Sequence, residues 1–304
     1  MPERTHRAGF AAIVGRPNVG KSTLLNRLIG QKLAIVSPKP QTTRGRILGV
    51  VTREDAQIAL LDTPGLHAAR GGLNARMMEQ ALQTLADADL AIFMIEAGSP
   101  AIDAATRKAL EQVKAAGKPT LLVINKIDAV PRARLLPLID RWKDLHAWAD
   151  VYPLSALKGE NVPGFLDAVV ALLPEGPALF PKEQWTDVQE SDLCAELIRE
   201  QLLRQTGQEV PYSAAVVIDQ FDESEREEGR RGLVRIAATI VVERDSQKAI
   251  VIGKGGAKLK EIGTAARQEM ERLLGAKVFL QLFVRVEPGW TRTGKGLRRA
   301  GYEN

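Results

Sequence analysis

A glycine-rich segment near the amino terminus constrains the fold of this chain more than any other feature. Residues 15–22 read Gly-Arg-Pro-Asn-Val-Gly-Lys-Ser, with an apolar run before them and a helix-like run after them. Glycines in such a segment let the backbone wrap closely around an anion, and the helix end that follows adds positive potential. The sequence therefore predicts a phosphate-binding loop that joins a buried strand to a helix.

The positions of this phosphate loop have distinct expected tasks. The ammonium of Lys21 is expected to reach the β and γ phosphates of a nucleotide, and the hydroxyl of Ser22 is expected to bind Mg²⁺. Backbone N–H groups are expected to point inward at phosphate oxygens. The phosphate-binding residues predicted within the loop are Gly15, Asn18, Val19, Gly20, Lys21, Ser22 and Thr23.

A second motif, Asp62-Thr63-Pro64-Gly65, ends the next expected strand of the nucleotide site. A carboxylate at this strand end is placed to hold Mg²⁺ through water, and Gly65 is placed to bring a backbone N–H to the γ-phosphate. Taken alone, a turn-forming Pro-Gly is an equally good interpretation. Together with the phosphate loop, the motif adds Asp62 and Gly65 to the predicted phosphate-binding residues.

A third motif, Asn125-Lys126-Ile127-Asp128, follows an apolar strand and predicts recognition of a base. The carboxylate of Asp128 can accept two hydrogen bonds from guanine N1 and its exocyclic N2, a donor pair that adenine lacks. Ser155-Ala156-Leu157 follows the last expected strand, where its backbone N–H groups are expected to meet guanine O6. The predicted guanine-binding residues are Asn125, Lys126, Asp128, Ser155, Ala156 and Leu157.

The first part of the chain alternates short apolar runs with helix-length segments, which is typical of a doubly wound, mostly parallel sheet. The expected strands are residues 10–14, 58–62, 90–96, 120–125 and 151–155, and the expected helices are residues 21–29, 73–86, 101–116, 135–146 and 162–172. Three prolines and a glycine at 174–181 break both helix and strand. We therefore expect an α/β domain over residues 1–173, a linker over 174–184 and a second domain over 185–304.

The second domain has a different element order. Helix 191–205, strands 213–221 and 232–243, a segment at 249–256, helix 258–274 and strand 278–286 predict an α-β-β-α-α-β arrangement, which is an α+β domain. Between its last two helices lies a second glycine loop, residues 253–256, which read Gly-Lys-Gly-Gly. Residues 229–232 have the same glycine spacing, but they lie between two strands and are interpreted as a hairpin tip.

Composition and charge limit the partners of the chain. Hydrophobic residues make up 45% of the chain and charged residues 26%, which is close to globular averages. No apolar run approaches the roughly 20 residues that a membrane span needs. We therefore expect a cytoplasmic protein. A single cysteine excludes an internal disulfide framework.

Net charge is −7 over residues 185–247 and +7 over residues 248–304. The basic end favours a nucleic-acid partner, although a solvated basic face is the commoner explanation of such charge.

The three nucleotide motifs, in this order, resemble those of the translation-factor-related P-loop GTPases. The resemblance implies binding of GTP and GDP, with Lys21, Thr43 and Gly65 as catalytic residues and Ser22, Thr43 and, through water, Asp62 around Mg²⁺. Thr43 lies in Gln41-Thr42-Thr43-Arg44, the expected mobile switch, with Thr42 as the alternative ligand. Leu66 stands where many relatives have a water-orienting glutamine, so slow intrinsic turnover is expected. Through Asn18, the resemblance also implies a potassium ion beside the phosphates.

The second glycine loop resembles that of type II KH domains, which clamp about four nucleotides of RNA backbone. The implied RNA-binding residues are Ile252, Gly253, Lys254, Gly255, Gly256, Lys258 and Lys260. Nearby apolar residues, Ile250, Val251, Leu259 and Ile262 among them, suit either a base groove or core packing.

The whole chain is similar to the bacterial GTPases that carry a C-terminal KH domain. That resemblance rests on the motifs above together with Glu-Val-Pro-Tyr-Ser at 209–213 and Val-Ile-Gly-Lys-Gly-Gly-Ala-Lys at 251–258. It implies binding near the 3′ end of 16S ribosomal RNA and a role in assembly of the 30S subunit, and it leaves open a peripheral contact with the inner face of the cell membrane. The alternatives are a constitutive RNA-binding module with a structural nucleotide, and a related GTPase of tRNA modification or large-subunit assembly.

Overall fold

The computed structural model describes residues 6–37, 39, 42–65, 72–99, 102–207, 210, 213–226 and 232–300. The chain divides into two compact units, the first built mostly from residues up to Asp187 and the second mostly from Val188 onward. The first is an α/β unit and the second an α+β unit, as the element order of the sequence predicts. Among the described residues, no helix combines the length and the apolar character needed to cross a membrane.

The first unit is a six-stranded sheet with the strand order β2-β3-β1-β4-β5-β6. All neighbouring strands are parallel except β2 and β3, which run antiparallel. Its strands are β1 (Arg7–Gly15), β2 (Ile47–Thr52), β3 (Ala56–Asp62), β4 (Leu90–Glu96), β5 (Thr120–Asn125) and β6 (Asp150–Pro153). Its helices are α1 (Lys21–Ile29), α2 (Gly72–Asp87), α3 (Ala104–Ala116), α4 (Leu135–Lys143) and α5 (Val162–Leu172).

The central strands are buried along almost their whole length, which explains their continuous apolar character. Every residue of β3 and β5 is buried, as expected for a parallel sheet with helices on both faces. The helices α3 and α4 cover one face, where Val113 and Trp142 pack against Phe93 of β4. Because β1, β3 and β5 are parallel, their carboxyl ends bring the loops after Gly15, Asp62 and Asn125 to one edge of the sheet.

Strand β2 is absent from the sequence-based prediction. It pairs with β3 along its whole length. Ile47 lies opposite Asp62 at one end, and Thr52 lies opposite Gln57 at the other. Its central residue, Gly49, packs so closely under α1 that an added Cβ would lie 2.9 Å from the side chain of Leu25. Glycine has low strand propensity, so local pattern gives little indication of this strand.

Two helix ends also differ from the expected bounds. Helix α3 begins at Ala104 rather than at residue 101, because the Asp103 side chain accepts a hydrogen bond from Thr106 N and caps the helix there. Helix α4 ends at Lys143, three residues before its expected end. After it, the Trp148 Nε1 donates to the Trp142 carbonyl at 2.7 Å, so this segment packs as an aromatic turn.

The proline-rich segment after α5 is anchored to the first unit. Gln57 accepts hydrogen bonds from the backbone N–H groups of Leu179 and Phe180 at 2.7 and 2.8 Å, and the Phe180 ring packs edge-on against Phe10. Further along, Thr186 forms a bridge with Gly49 of β2. The segment expected as a linker therefore runs over the sheet of the first unit.

The second unit has a three-stranded sheet in the order β7-β8-β9. Strands β7 and β8 are antiparallel, and β8 and β9 are parallel. Its elements are α6 (Glu190–Gln205), β7 (Ala215–Glu225), β8 (Leu233–Val242), α7 (Asp245–Ile252), α8 (Ala257–Leu274), β9 (Lys277–Val286) and α9 (Gly294–Arg299). Helices α6 and α8 pack on the sheet around a core that includes Cys194, Ile236 and Met270. Helix α7 begins four residues earlier than expected, and α9 was not predicted.

Candidate functional site

The phosphate loop has the strained backbone that its sequence requires. Gly15 and Gly20 have φ angles of 152° and 103°, and Asn18 has a φ of 64°. An added Cβ would lie 2.5 Å from the Met94 carbonyl oxygen at Gly15 and 2.2 Å from Asn125 Nδ2 at Gly20. Packing and backbone conformation therefore both require glycine at these two positions. Gly20 caps α1 without a side-chain hydrogen bond, which suits a helix end that receives an anion.

Lys21 begins α1 with its ammonium folded over the loop. Its Nζ donates to the carbonyl oxygens of Gly15 at 3.2 Å and Arg16 at 3.0 Å. Burial lowers the pKa of Lys21, and the nearby Asp62 carboxylate partly opposes that shift. A cation held this way is placed beside the loop in which phosphates are expected, and an anion there would offset its lost hydration.

Three oxygen-bearing side chains converge beside Lys21. Ser22 Oγ donates to Asp62 Oδ2 at 2.7 Å, Thr43 Oγ1 donates to the same oxygen at 3.2 Å, and the two hydroxyl oxygens lie 3.0 Å apart. The other oxygen, Asp62 Oδ1, is buried and has no hydrogen-bond partner among the described residues. Burial raises the pKa of Asp62, against the lowering effects of Lys21, Ser22 and Thr43. Hard oxygen donors around an unsatisfied carboxylate oxygen fit Mg²⁺.

Gly65 lies directly against the phosphate loop. An added Cβ there would approach the ring and backbone nitrogen of Pro17 at 2.8 Å, so no larger residue fits without a shift. Thr43, the first choice for the switch threonine, is buried, and its hydroxyl donates to Asp62 Oδ2. Gln41 and Leu66 lie outside the described residues, so the water-orienting position stays a prediction.

Asn125 joins the phosphate loop to the last loop of the sheet. Its Nδ2 donates to the Val19 carbonyl at 2.7 Å, and its Oδ1 accepts from Ala156 N at 2.9 Å. This pair of hydrogen bonds spans residues that are far apart in sequence. One buried amide therefore fixes both loops at the same edge of the sheet.

The expected base-recognition residues gather near Asn125. Lys126 has a φ of 64°, and its Nζ pairs with Glu96 at the end of β4 at 2.8 Å. Asp128 is exposed in a short 3₁₀ turn, with its carboxylate open to a ligand. The segment after β6 closes the site: Ser155 is buried, and the side chain of Leu157 is 67% exposed. We name residues 155–160 the base-recognition loop.

Two residues near the base-recognition positions were not identified from sequence. Glu96 ends a parallel strand beside β5, so its position at this edge follows once the strand order is known. Arg27 of α1 donates to carbonyl oxygens of the base-recognition loop. No local pattern links Arg27 to a segment about 130 residues away.

The second glycine loop joins α7 to α8. Gly253, Gly255 and Gly256 have φ angles of 70°, 59° and 81°. An added Cβ at Gly253 would lie 2.7 Å from Lys258 Cβ, whereas at Gly255 and Gly256 it would have no heavy atom within 4 Å. Lys254 is exposed at the tip of this turn. The loop is thus a projecting cationic turn with open space over its last two glycines.

The flanks of the second glycine loop separate core residues from surface residues. Val251 and Ile262 are fully buried in the core, so core packing is the correct interpretation for these two. Ile250 is 42% exposed, and Ile252 is half-buried. Lys260 is exposed, and Lys258 pairs with Glu261 at 2.5 Å. The surface beside the loop therefore combines apolar and basic side chains, as nucleic-acid clamps do.

Two known families match separate parts of the chain, one in each compact unit. Residues 10–126 match the family described as 50S ribosome-binding GTPase, and residues 209–291 match the KH domain family. GTPase Era of Syntrophus aciditrophicus is 48% identical over 296 residues, with 97% of this chain and 95% of the relative covered. GTPase Era of Geobacter metallireducens is also 48% identical and covers 99% of this chain and 100% of the relative.

Two solved structures match the chain over its length. One is a point variant of Aquifex aeolicus Era bound to GDP and AlF4⁻, with a TM-score of 0.92 and 42% identity. The other is Era in complex with MgGDPNP and nucleotides 1506–1542 of 16S ribosomal RNA, with a TM-score of 0.93 and 42% identity. Each match covers 98% of this chain and 100% of the solved chain.

Proposed function

The chain belongs to the Era family of GTPases, and we propose that it acts as a GTP-controlled switch that binds 16S ribosomal RNA near its 3′ end and assists assembly of the 30S subunit. The chain is a GTPase that converts GTP to GDP and phosphate. The observation that carries the proposal is the presence, in one chain, of a preformed phosphate loop and a projecting glycine loop of KH type. We assign residues 1–173 to the GTPase domain, 174–184 to the linker and 185–304 to the KH domain.

The contacts at the sheet edge support the proposed nucleotide-binding roles. Lys21 and the backbone N–H groups of Gly15 and of residues 18–23 would hold the phosphates, and Gly65 would meet the γ-phosphate. Asp128 pairs with guanine N1 and N2, while Lys126 and residues 155–157 support the base. Asn125 supports this assignment because it already joins the phosphate loop to Ala156.

Ser22 and Thr43 would hold Mg²⁺ directly, and Asp62 would hold it through water. The clustered oxygens and the unsatisfied Asp62 Oδ1 support this donor set. Bound Mg²⁺ supplies positive charge to the phosphate oxygens, where negative charge grows during transfer. Lys21 acts beside it as a fixed cation, so it is catalytic as well as binding.

The attacking water has no assigned side chain in this proposal. Leu66 cannot donate or accept a hydrogen bond through its side chain, so backbone groups or a partner would place the water, and slow intrinsic turnover follows. Asn18 would help to hold a potassium ion against the phosphates. Rates in potassium and sodium buffers of equal ionic strength test that role, and equal rates would exclude it.

The KH domain would clamp RNA with its second glycine loop. Residues 252–256 would approach the phosphate backbone, and Lys258 and Lys260 would add positive charge. The open space over Gly255 and Gly256 supports close approach of a ligand. GTP would order the segments near Thr43 and Gly65, reorient the KH domain and favour RNA binding, and hydrolysis would release the RNA.

We propose a cytoplasmic location and a peripheral contact of the basic carboxyl-terminal region with the inner face of the membrane. Anionic vesicles test this contact. Retention of the protein on vesicles at physiological salt supports it, and recovery of all the protein in the supernatant argues against it.

Crosslinking in cells followed by sequencing of the bound RNA tests the RNA target most directly. We expect crosslinks to concentrate near the 3′ end of 16S ribosomal RNA, with residues of the second glycine loop at the crosslinked sites. Crosslinks to tRNA or to 23S ribosomal RNA would instead support the alternative of a GTPase of tRNA modification or large-subunit assembly. Total RNA of similar length distribution serves as the background.

A further inference from the structure

Arg27 on α1 contacts the base-recognition loop although it belongs to no nucleotide motif. Its Nε donates to the Ala156 carbonyl at 3.1 Å, and its Nη2 donates to the Leu157 carbonyl. We propose that Arg27 is a positioning residue for guanine recognition, which fixes the orientation of the loop peptides that meet the base. This inference rests on the proposed role of residues 155–157.

The peptide geometry gives the proposal its physical basis. In a planar trans peptide, the C=O and the following N–H point in opposite directions. Because Arg27 draws the Ala156 carbonyl toward α1, the N–H of Leu157 must point away from α1. The N–H of Ala156 is already directed at Asn125 Oδ1. Arg27 and Asn125 therefore set two successive peptide planes of the loop.

Hydrogen bonds within the base-recognition loop hold the two ends of the loop together, whereas Arg27 holds the residues at its tip. Gly159 N donates to the Ser155 carbonyl at 2.7 Å, and Lys158 N donates to Ser155 Oγ at 3.0 Å. Gly159 has a φ of 80°, and an added Cβ there would lie 3.8 Å from Arg27 Cζ. The guanidinium thus lies against the loop backbone, where it donates to the Ala156 and Leu157 carbonyls in place of hydrogen bonds from within the loop.

Arginine suits this task better than other side chains. Its guanidinium is planar, always charged and carries donors in a fixed fork, so it can serve two adjacent carbonyls at once. Its helix also carries Ser22 in its first turn, beside the expected Mg²⁺ site. A single nine-residue helix therefore links the phosphate end of the site to its base end.

Equilibrium binding of two nucleotides tests the inference. GDP carries the guanine O6 and N1–H, and the diphosphate of 2-aminopurine riboside lacks both, so only GDP can accept a hydrogen bond at O6 from the N–H groups of the loop. We expect Arg27→Gln to weaken GDP binding by about 10-fold, in line with loss of charged hydrogen bonds, and to leave binding of the 2-aminopurine nucleotide nearly unchanged. The preference for GDP over the analogue then falls by about the same factor, and Arg27→Lys restores part of it.

Arg132→Gln is the matched control. Arg132 reaches Glu160 of the same loop at 3.5 Å, but its side chain is 90% exposed, so its loss is expected to change neither affinity by more than about twofold. Equal weakening of both nucleotides in Arg27→Gln, with preference unchanged, would overturn the inference and indicate general stabilisation. If the glutamine variant does not fold, preference in Arg27→Lys decides the question. Failure of the unaltered protein to bind GDP would instead contradict the proposed function.

Discussion

The two glycine loops of this chain share left-handed backbone conformations but differ in what surrounds them. In the phosphate loop, added Cβ atoms at Gly15 and Gly20 would collide with Met94 and Asn125. In the second glycine loop, Gly255 and Gly256 have positive φ angles, but an added Cβ would meet nothing within 4 Å. The first loop is packed by the protein itself at both of these glycines, whereas the second loop, packed at Gly253, faces open space at Gly255 and Gly256.

This difference indicates how each loop recognises phosphate. The phosphate loop is held by the Lys21 and Asn125 hydrogen bonds, so contacts within the protein fix the shape of its cradle. Preorganised dipoles need little rearrangement when an anion binds. In the second glycine loop, Gly255 and Gly256 serve backbone conformation and close approach of the ligand. The free energy of RNA binding at this loop must therefore come from contacts that form only when the RNA is bound.

The largest effect is expected from a variant that disrupts the phosphate loop and leaves the second glycine loop unchanged. Lys21→Ala removes the buried ammonium, and we expect kcat/KM for GTP to fall by about 1,000-fold, as for other groups that stabilise developing charge. Affinity for RNA in the absence of nucleotide is expected to stay unchanged. Steady-state kinetics and RNA titration measure the two effects, with the exposed Lys108→Ala as the control. Parallel loss of nucleotide-free RNA binding would show that the two loops are not separable.

A second variant disrupts the second glycine loop and leaves the phosphate loop unchanged. Gly256→Asp places a negative charge and a side chain where phosphate is expected, and RNA affinity is expected to fall by about 100-fold. GTP affinity is expected to stay the same. Gly275→Asp is a matched control, because Gly275 also has a positive φ of 64° and no heavy atom within 4 Å of an added Cβ. Equal losses of RNA affinity in the two variants would contradict a specific role for residues 253–256.

Asp128→Asn sharpens the comparison at the base end of the nucleotide site. The amide cannot accept from both N1 and N2 of guanine, so GTP affinity is expected to fall by about 100-fold while xanthosine triphosphate becomes the preferred ligand. Competition titrations with the two nucleotides measure the exchange. Asp140→Asn, on the exposed face of α4, is the control. Retained preference for GTP would place base recognition elsewhere.

Alanine at one glycine of each loop compares the stability of the two loops directly. Gly20→Ala adds a collision to the unfavourable φ, so we expect it to lower the free energy of unfolding by about 3 kcal/mol. Gly256→Ala adds only the unfavourable φ, with an expected loss of about 1 kcal/mol. Urea denaturation measures both values. Equal losses would mean that packing does not distinguish the two loops.

The local sequence was sufficient to predict the strands and helices that are marked by an uninterrupted apolar run or by a periodic pattern. The buried strands β3, β4 and β5 and the helices α1 and α5 lie at or near their expected bounds, because each combines a continuous apolar or periodic run with clear breakers. The expected GTPase and KH folds are confirmed by the family and structure matches. These features depend on spacing that a single sequence displays directly.

Features that depend on distant contacts could not be predicted this way. Strand β2 contains Gly49 and gains its place from pairing with β3 and packing under α1. The contacts of Arg27 with Ala156 and Leu157 require the folded sheet to bring α1 beside the base-recognition loop. The anchoring of Phe180 through Gln57 likewise joins segments more than 120 residues apart. None of these pairs leaves a local pattern.

The affinity of the full chain for a 16S ribosomal RNA 3′-end fragment, measured with a non-hydrolysable GTP analogue and with GDP at one salt concentration, tests the proposed switch most directly. Typical coupling energies between two sites predict about 10-fold tighter RNA binding with the analogue. By linkage, RNA should favour binding of the analogue over GDP by the same factor. Equal RNA affinity in the two nucleotide states would contradict the switch and support a constitutive RNA clamp, because a ligand without differential binding shifts no equilibrium.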